Sequence, residues 1–153
     1  MTKRIGLLSA EQSGDQYAAH LIQSCKARNM DVSFQGMGGP SSQQAGLVCW
    51  PNCTPKSVMG FNLLKHYRYG KDLLRTIDKH LDTHTLDLLI LIDYGGINLR
   101  VLRMAHKKNI PVLYYVPPKT WAWGKKRLRT LKLARRIAVH YPFEYDYFIT
   151  HKL

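Results

Sequence analysis

The sequence predicts an α/β layer fold: a parallel sheet with helices on both faces. Three observations carry that expectation. Short apolar runs alternate with helix-length amphipathic segments along the whole chain, the pattern that builds parallel sheets through right-handed crossovers. Residues 86–92 hold six large aliphatics in seven positions without alternation, as a strand covered on both faces requires. Small or polar turns follow the strand-like runs, and open sheets of this class bind ligands at the carboxyl ends of their strands.

Taken in order, Lys3 to Ser9 reads as the first strand and Ala10-Glu11-Gln12-Ser13-Gly14-Asp15 as a polar turn. Gln16 to Arg28 is helical, with Tyr17, Leu21, Ile22 and Cys25 on one stripe. Val32-Ser33-Phe34 is a second strand running into Gly36-Met37-Gly38-Gly39-Pro40. This is not the dinucleotide fingerprint, whose third glycine would fall at Ser41 and whose place is after the first strand. Ser41 to Ala45 makes a helical turn or two, closed by Gly46, and Leu47 to Trp50 a third strand. After a loop from Pro51 to Met59, Gly60 to Leu81 is a long cationic amphipathic segment that Gly70 is expected to break or bend. Lys65, His66 and Arg68 beside Phe61 and Leu64 suit its first half to a membrane surface. His80 and His84 stand at i and i+4, but with no third ligand in view they read as solvent-facing.

The central run ends in Asp93-Tyr94-Gly95-Gly96, followed by a helix from Asn98 to Lys108. Asp93 either caps that helix or faces a ligand at the strand end, and the local residues favour the cap. Ile110 to Val116 is another buried strand, stopped by Pro117-Pro118. Lys119-Thr120-Trp121-Ala122-Trp123-Gly124 is a stiff aromatic loop, and one of its two tryptophans is expected in the core. Lys125 to Arg136 reads as a basic helix, Ile137 to His140 as the last strand, and Pro142-Phe143-Glu144 opens a terminal helix. The alternation is Rossmann-like, and residues 1–153 are expected to form a single domain.

Composition is ordinary for a globular chain, with 45% hydrophobic and 22% charged residues. The cysteines, Cys25, Cys49 and Cys53, form no CxxC and read as reduced thiols rather than a disulfide frame or zinc site. Ile5 to Ala10 is too short for the apolar core of a secretory signal. The net charge of +13 is uneven: residues 94–143 hold 12 of the 23 Lys and Arg and none of the 10 Asp and Glu, leaving 11 against 10 elsewhere. That implies an anionic partner, whether a phosphorylated small molecule, an acidic lipid surface or a nucleic acid; the alternative is a solvated basic face.

The turns, in their order, resemble the lipid-A-disaccharide synthases, family-19 glycosyltransferases of Gram-negative bacteria. Ala10 to Asp15 is similar to GExSGD, Gly36 to Pro40 to GxGGP, and Val58-Met59-Gly60 to VMG. Ile92 to Asn98 is similar to IDxPxFN, Val116 to Trp123 to ISPxxWAW, and Pro142-Phe143-Glu144 to PFE. Ala10, Gly95, Ile97 and Pro117 depart from the pattern, Leu63 or its neighbour stands where a glutamate often follows VMG, and Gly95 is expected to loosen the loop after Asp93.

The resemblance implies the N-terminal domain of a two-domain GT-B glycosyltransferase. Its second domain would hold most of the UDP-sugar contacts, so this chain is expected to be one half of a split enzyme or a fragment, inactive alone. The implied reaction joins UDP-2,3-diacylglucosamine to 2,3-diacylglucosamine 1-phosphate (lipid X) and releases UDP, with no metal or cofactor. It makes Asp93 the general base and reverses the local preference for a cap. It puts Glu11, Ser13, Gly14 and Asp15 along the substrate cleft, Asn98 at the turn, and Lys119, Lys125, Lys126 and Arg127 toward phosphate or anionic lipid. Phe61, Leu64 and Trp121 would anchor a cytoplasmic protein peripherally on the anionic inner-membrane surface, and a separate C-terminal chain is an expected partner. The rival reading is a non-enzymatic basic module for anionic membrane or nucleic acid; no RNP, KH or zinc-finger pattern supports the nucleic-acid version, and none is expected as a partner.

Overall fold

The computed structural model describes residues 1–53, 63–122 and 124–153, with side chains for all of these except 63–67. The strands are β1 (Lys3–Leu8), β2 (Val32–Met37), β3 (Val48–Cys49), β4 (Leu88–Ile92), β5 (Val112–Tyr115) and β6 (Arg136–Ala138). The helices are α1 (Gln12–Ala27), α2 (Pro40–Ala45), α3 (Leu63–Thr83), α4 (Gly95–Lys107), α5 (Leu128–Leu131) and α6 (Pro142–Thr150), with a 3-10 turn at Lys125–Arg127. All strand pairs are parallel, in the order β3-β2-β1-β4-β5-β6. The chain moves outward one way from β1 and the other way from β4, so the switch point lies between these two strands, where a crevice opens at their carboxyl ends.

β4 explains its own composition. Leu89 and Leu91 join one apolar cluster with Leu73, Ile77 and Leu81 of α3 and Val101, Leu102 and Ala105 of α4. Ile90 and Ile92 join a second cluster with Ala18, Ala19 and Ile22 of α1. Successive side chains point to opposite faces, and both faces are covered, so neither can be polar. Close backbone approach sets two glycines. Gly36 has φ 148°, and a Cβ there would fall 2.0 Å from the Leu7 carbonyl oxygen. At Gly95 a Cβ would meet Pro118 Cγ at 2.8 Å, so the residue expected to loosen this loop is instead packed at the start of α4.

Four local expectations are corrected. The segment read as the turn Ala10 to Asp15 is helical from Gln12 onward; Gly14 lets that first turn lie against Ser9 and Ile92. α3 runs unbroken through Gly70, whose nearest non-local contact is Ile97, because Leu73, Ile77 and Leu81 recur at helical spacing on α4 and the sheet. The basic helix read over Lys125 to Arg136 shrinks to the 3-10 turn and α5. Like charges at i+3 and i+4 give a longer helix no support, and only the turn burying Leu128 and Leu131 persists. His80 and His84 are half-buried rather than solvent-facing: Trp50 stacks on His80 at 5.0 Å and lies 5.6 Å from His84. Among the described residues no cluster of potential metal ligands occurs, and no helix is long and apolar enough to cross a membrane.

Candidate active site

Residues 93 and 94 leave β4 in the left-handed region, with φ 49° at Asp93 and 45° at Tyr94. Val116, at the end of β5, does the same with φ 56°. Non-glycine residues there are strained by about 1–3 kcal/mol each, and a β-branched one is a marked outlier. The surroundings hold the strain. Asn98 Nδ2 donates to the carbonyls of Ile92 (3.0 Å) and Asp93 (2.9 Å). The Tyr114 hydroxyl donates to the same Asp93 carbonyl at 2.9 Å. Burial, and then the Asp93 charge, pushes the Tyr114 phenol far above its ordinary value, so it remains a donor. The backbone N–H of Asp93 is bound to Tyr115 O.

The Asp93 side chain is therefore positioned by its backbone, and its carboxylate makes no hydrogen bond or ion pair among the described residues. It does not cap α4: the N-cap is Tyr94, without a side-chain hydrogen bond. Asp93 faces a cleft of about 470 Å³. Ser13 and Tyr17 of α1 form one wall, Val116 to Lys119 another, and Arg127, His140, Tyr141 and Glu144 the third. Among the described residues, three buried side-chain oxygens have no partner, on Ser9, Asn98 and Thr120, and they follow the carboxyl ends of β1, β4 and β5. Glu11, exposed on the rim, has its carboxyl held above its ordinary value by burial and then by the Asp93 charge.

Of the residues singled out in the sequence, Ser13, Asp93, Lys119 and Arg127 line this one cleft, and Glu11 stands within electrostatic reach of Asp93. Gly14 is buried and outside its lining. Lys125 and Lys126 are exposed but outside its lining. Asp15 does not line it. Its carboxylate accepts from the N–H groups of Gly39 (2.8 Å), Ser41 (2.9 Å) and Ser42 (3.0 Å) and from the Ser42 hydroxyl (2.5 Å), so it caps α2. Asn98 is fully buried and outside the cleft's lining; it holds the turn. Trp121 is 41% exposed, not core, and its Nε1 donates to Glu144 Oε1 at 3.2 Å. Phe61 and Trp123 lie outside the described residues, as does the side chain of Leu64.

Sequence reading missed Tyr17 and His140 as site residues, and took Tyr141 and Glu144 only as part of a polar turn at the ligand edge of the sheet. Tyr17 sits at 4.8 Å from the His140 ring and 5.8 Å from Tyr115, and His140 at 6.1 Å from Tyr141. Glu144 accepts from the N–H groups of His140 and Tyr141 as well as from Trp121. Its place three residues after Tyr141 is capping-box spacing, a second signal beside the resemblance to PFE.

Residues 5–153 match the family described as lipid-A-disaccharide synthetase. The chain belongs to the lipid-A-disaccharide synthetase family. It is 37% identical over 148 residues to the lipid-A-disaccharide synthase of Trichlorobacter lovleyi, covering 95% of this chain and 39% of that protein. It is 35% identical over 144 residues to lipid-A-disaccharide synthase 1 of Legionella pneumophila, covering 92% and 38%. The chain thus spans under half the length of these family members. A putative UDP-N-acetylglucosamine 2-epimerase from Listeria monocytogenes shares the fold with TM-score 0.64 at 6% identity, covering 99% of this chain and 42% of that one. MurG of Acinetobacter baumannii does so with TM-score 0.58 at 13% identity, covering 92% and 42%. The strand order and the helices on both faces are the Rossmann-like arrangement of a GT-B N-terminal domain, the fold class read from the sequence.

Proposed function

We propose that the chain forms the acceptor side of a glycosyltransferase of lipid A biosynthesis, joining UDP-2,3-diacylglucosamine to 2,3-diacylglucosamine 1-phosphate. The observation that carries this reading is the Asp93 carboxylate, unpaired among the described residues and facing a cleft that also holds Lys119 and Arg127. The acceptor's 6-hydroxyl oxygen attacks the anomeric carbon of the donor as its proton passes to Asp93. The new O–C bond forms as the bond to the diphosphate breaks, UDP leaves, and the configuration inverts. Lys119 and Arg127 face anionic groups of the substrates. The donor's uridine and diphosphate are held by the part of the family's length that lies outside this chain, so the chain alone is inactive. Acylated substrates keep the site at the cytoplasmic face of the inner membrane, with Trp121, Phe61 and Leu64 as contacts.

Supplying the part of the family's length that this chain does not span, in one polypeptide or as a separate C-terminal chain, gives turnover in this reading, and Asp93→Asn tests it there. Loss of a general base lowers the chemical step by about 10² to 10⁴. Because Asp93 does not cap α4, the melting temperature should hardly move. Unchanged turnover in Asp93→Asn refutes the base assignment, and synthesis by the unassisted chain refutes its dependence on a second half.

A further inference from the structure

The sheet ends at β6, which pairs with β5 on one side and with no strand on the other among the described residues. A hollow of about 470 Å³ lies beside it, lined by residues of α5, β6 and α6, and it shares no lining residue with the Asp93 cleft. Arg136 and Ile137 are neighbours in β6, and both line the hollow. Their side chains point to opposite faces of the sheet, so the hollow opens on the strand's edge and not on one face. Its inner wall is apolar: Leu131 and Phe148 are buried there, and Ile137 and Val139 half-buried. Its cations, Lys132, Arg135, Arg136 and Lys152, are exposed and in no ion pair among the described residues, and no acid lines it. Charge is a common means of keeping a strand edge from pairing, and that accounts for the cations. It does not account for the apolar hollow behind them, which a bare edge has no use for.

We infer that the β6 edge seats a further β-strand carrying apolar side chains with acidic ones beside them, supplied by the part of the family's length that this chain does not span. This deepens the proposed function and rests on it for the source of the strand. An extended segment adds to an open sheet edge through backbone hydrogen bonds, and its side chains find their specificity in the pockets alongside. Here the apolar side chains fill the hollow. Charge decides between occupants. A second copy of this chain brings the same cations to the same edge, and like charges repel; acidic side chains on the incoming strand offset them. The match to the Trichlorobacter lovleyi synthase covers 39% of that protein, so the family has ample sequence to supply the strand. Because the seat and the Asp93 cleft have no residue in common, a partner held at β6 leaves the cleft open to substrate.

The test uses the chain itself and three peptides of about six residues, an ordinary strand length. One alternates valine and glutamate, one alternates valine and lysine, and the third is the first with its amides N-methylated. Binding is followed by the amide shifts of β6 and α6. The valine–glutamate peptide should bind and shift them, more weakly as salt rises. Arg136→Gln and Lys152→Gln, both at exposed side chains, should each weaken it by about two- to fivefold. Ile149→Glu, at a side chain 54% exposed on the hollow's wall, should weaken it further. N-methylation should abolish binding, since it removes the donors that pair with β6. The inference is overturned if the valine–lysine or the N-methylated peptide binds as well, or if no peptide moves the β6 amides. It is also overturned if lysophosphatidylglycerol alone moves them, which makes the hollow a lipid site, or if the chain self-associates through β6. The readout is binding at a sheet edge and not turnover, so its failure leaves the Asp93→Asn test intact, and failure of that test leaves this one interpretable.

Discussion

Asp15 gathers donors from residues 24 to 27 positions further along the chain. Burial acts to raise its carboxyl, but the hydrogen bonds from the Ser42 hydroxyl and the Ser42, Ser41 and Gly39 N–H groups outweigh it, and the net value lies below the ordinary aspartate range. A carboxyl with a depressed folded value contributes stability that is present above its unfolded value and lost as pH falls through the folded one. Asp15→Asn should therefore cost about 1–3 kcal/mol near neutrality, since the amide turns a donor toward groups that are themselves donors. The difference from the parent should shrink as the solution is acidified below the ordinary aspartate range, when the parent loses the same charge. Urea melts across that range measure both; a difference independent of pH would mean that the carboxylate's charge is not what holds α2. The carboxylate also fills the amino end of α2, so the glycine turn ahead of that helix is closed to a ligand phosphate.

At the scale of elements, buried Glu144 ties α6 to the aromatic loop and to the end of the sheet, beside the Tyr147 hydroxyl, which donates to Thr120 O at 3.2 Å. Glu144→Ala leaves the Trp121 indole and two backbone N–H groups without their acceptor. A loss of about 1–3 kcal/mol is expected, with a red shift of tryptophan emission as Trp121 is released; wild-type stability and emission would show the tie to be dispensable. β4 was legible because continuous apolar residues have only one home in such a sheet, and Asp93 because it follows that run directly. The start of α1 was not, since Gly14 and Asp15 look like turn residues until Ser9 and α2 are set beside them. Nor was the continuity of α3, because a glycine's helix penalty of about 1 kcal/mol is local and the packing that overrides it is tertiary. The cleft was half legible. Ser13, Asp93 and Lys119 sit in turns that a motif marks and Arg127 in the basic segment behind one, whereas Tyr17 looked like helix stripe and His140 like strand. Their rings meet only after β5 and β6 are paired.

For the molecule as a whole, the basic third is a surface property. Of its 12 cations only Lys108 is less than exposed, and it pairs with Asp78 and Asp82. Exposed Trp121, Tyr141 and Phe143 lie in the same stretch, Trp121 edge-on to Phe143 at 5.3 Å and Tyr141 stacked on it at 5.6 Å. Amphipathic aromatics within a cationic field suit a lipid–water boundary. The chain should sediment with vesicles containing acidic phospholipids, and the binding should weaken over tens to hundreds of millimolar salt, roughly as the screening length falls from 30 to 8 Å. Equal, salt-insensitive binding to neutral vesicles would remove the electrostatic part of this argument, and tighter binding to an oligonucleotide would favour the nucleic-acid version of a basic module. The left-handed pair at Asp93 and Tyr94 carries a last consequence. Its conformation is imposed by Asn98 and Tyr114, two residues committed to the interior, so the carboxylate acquires its position when the chain folds and not when a ligand arrives. The entropy of ordering it is settled beforehand, and the contact energy of an incoming molecule remains available for holding that molecule.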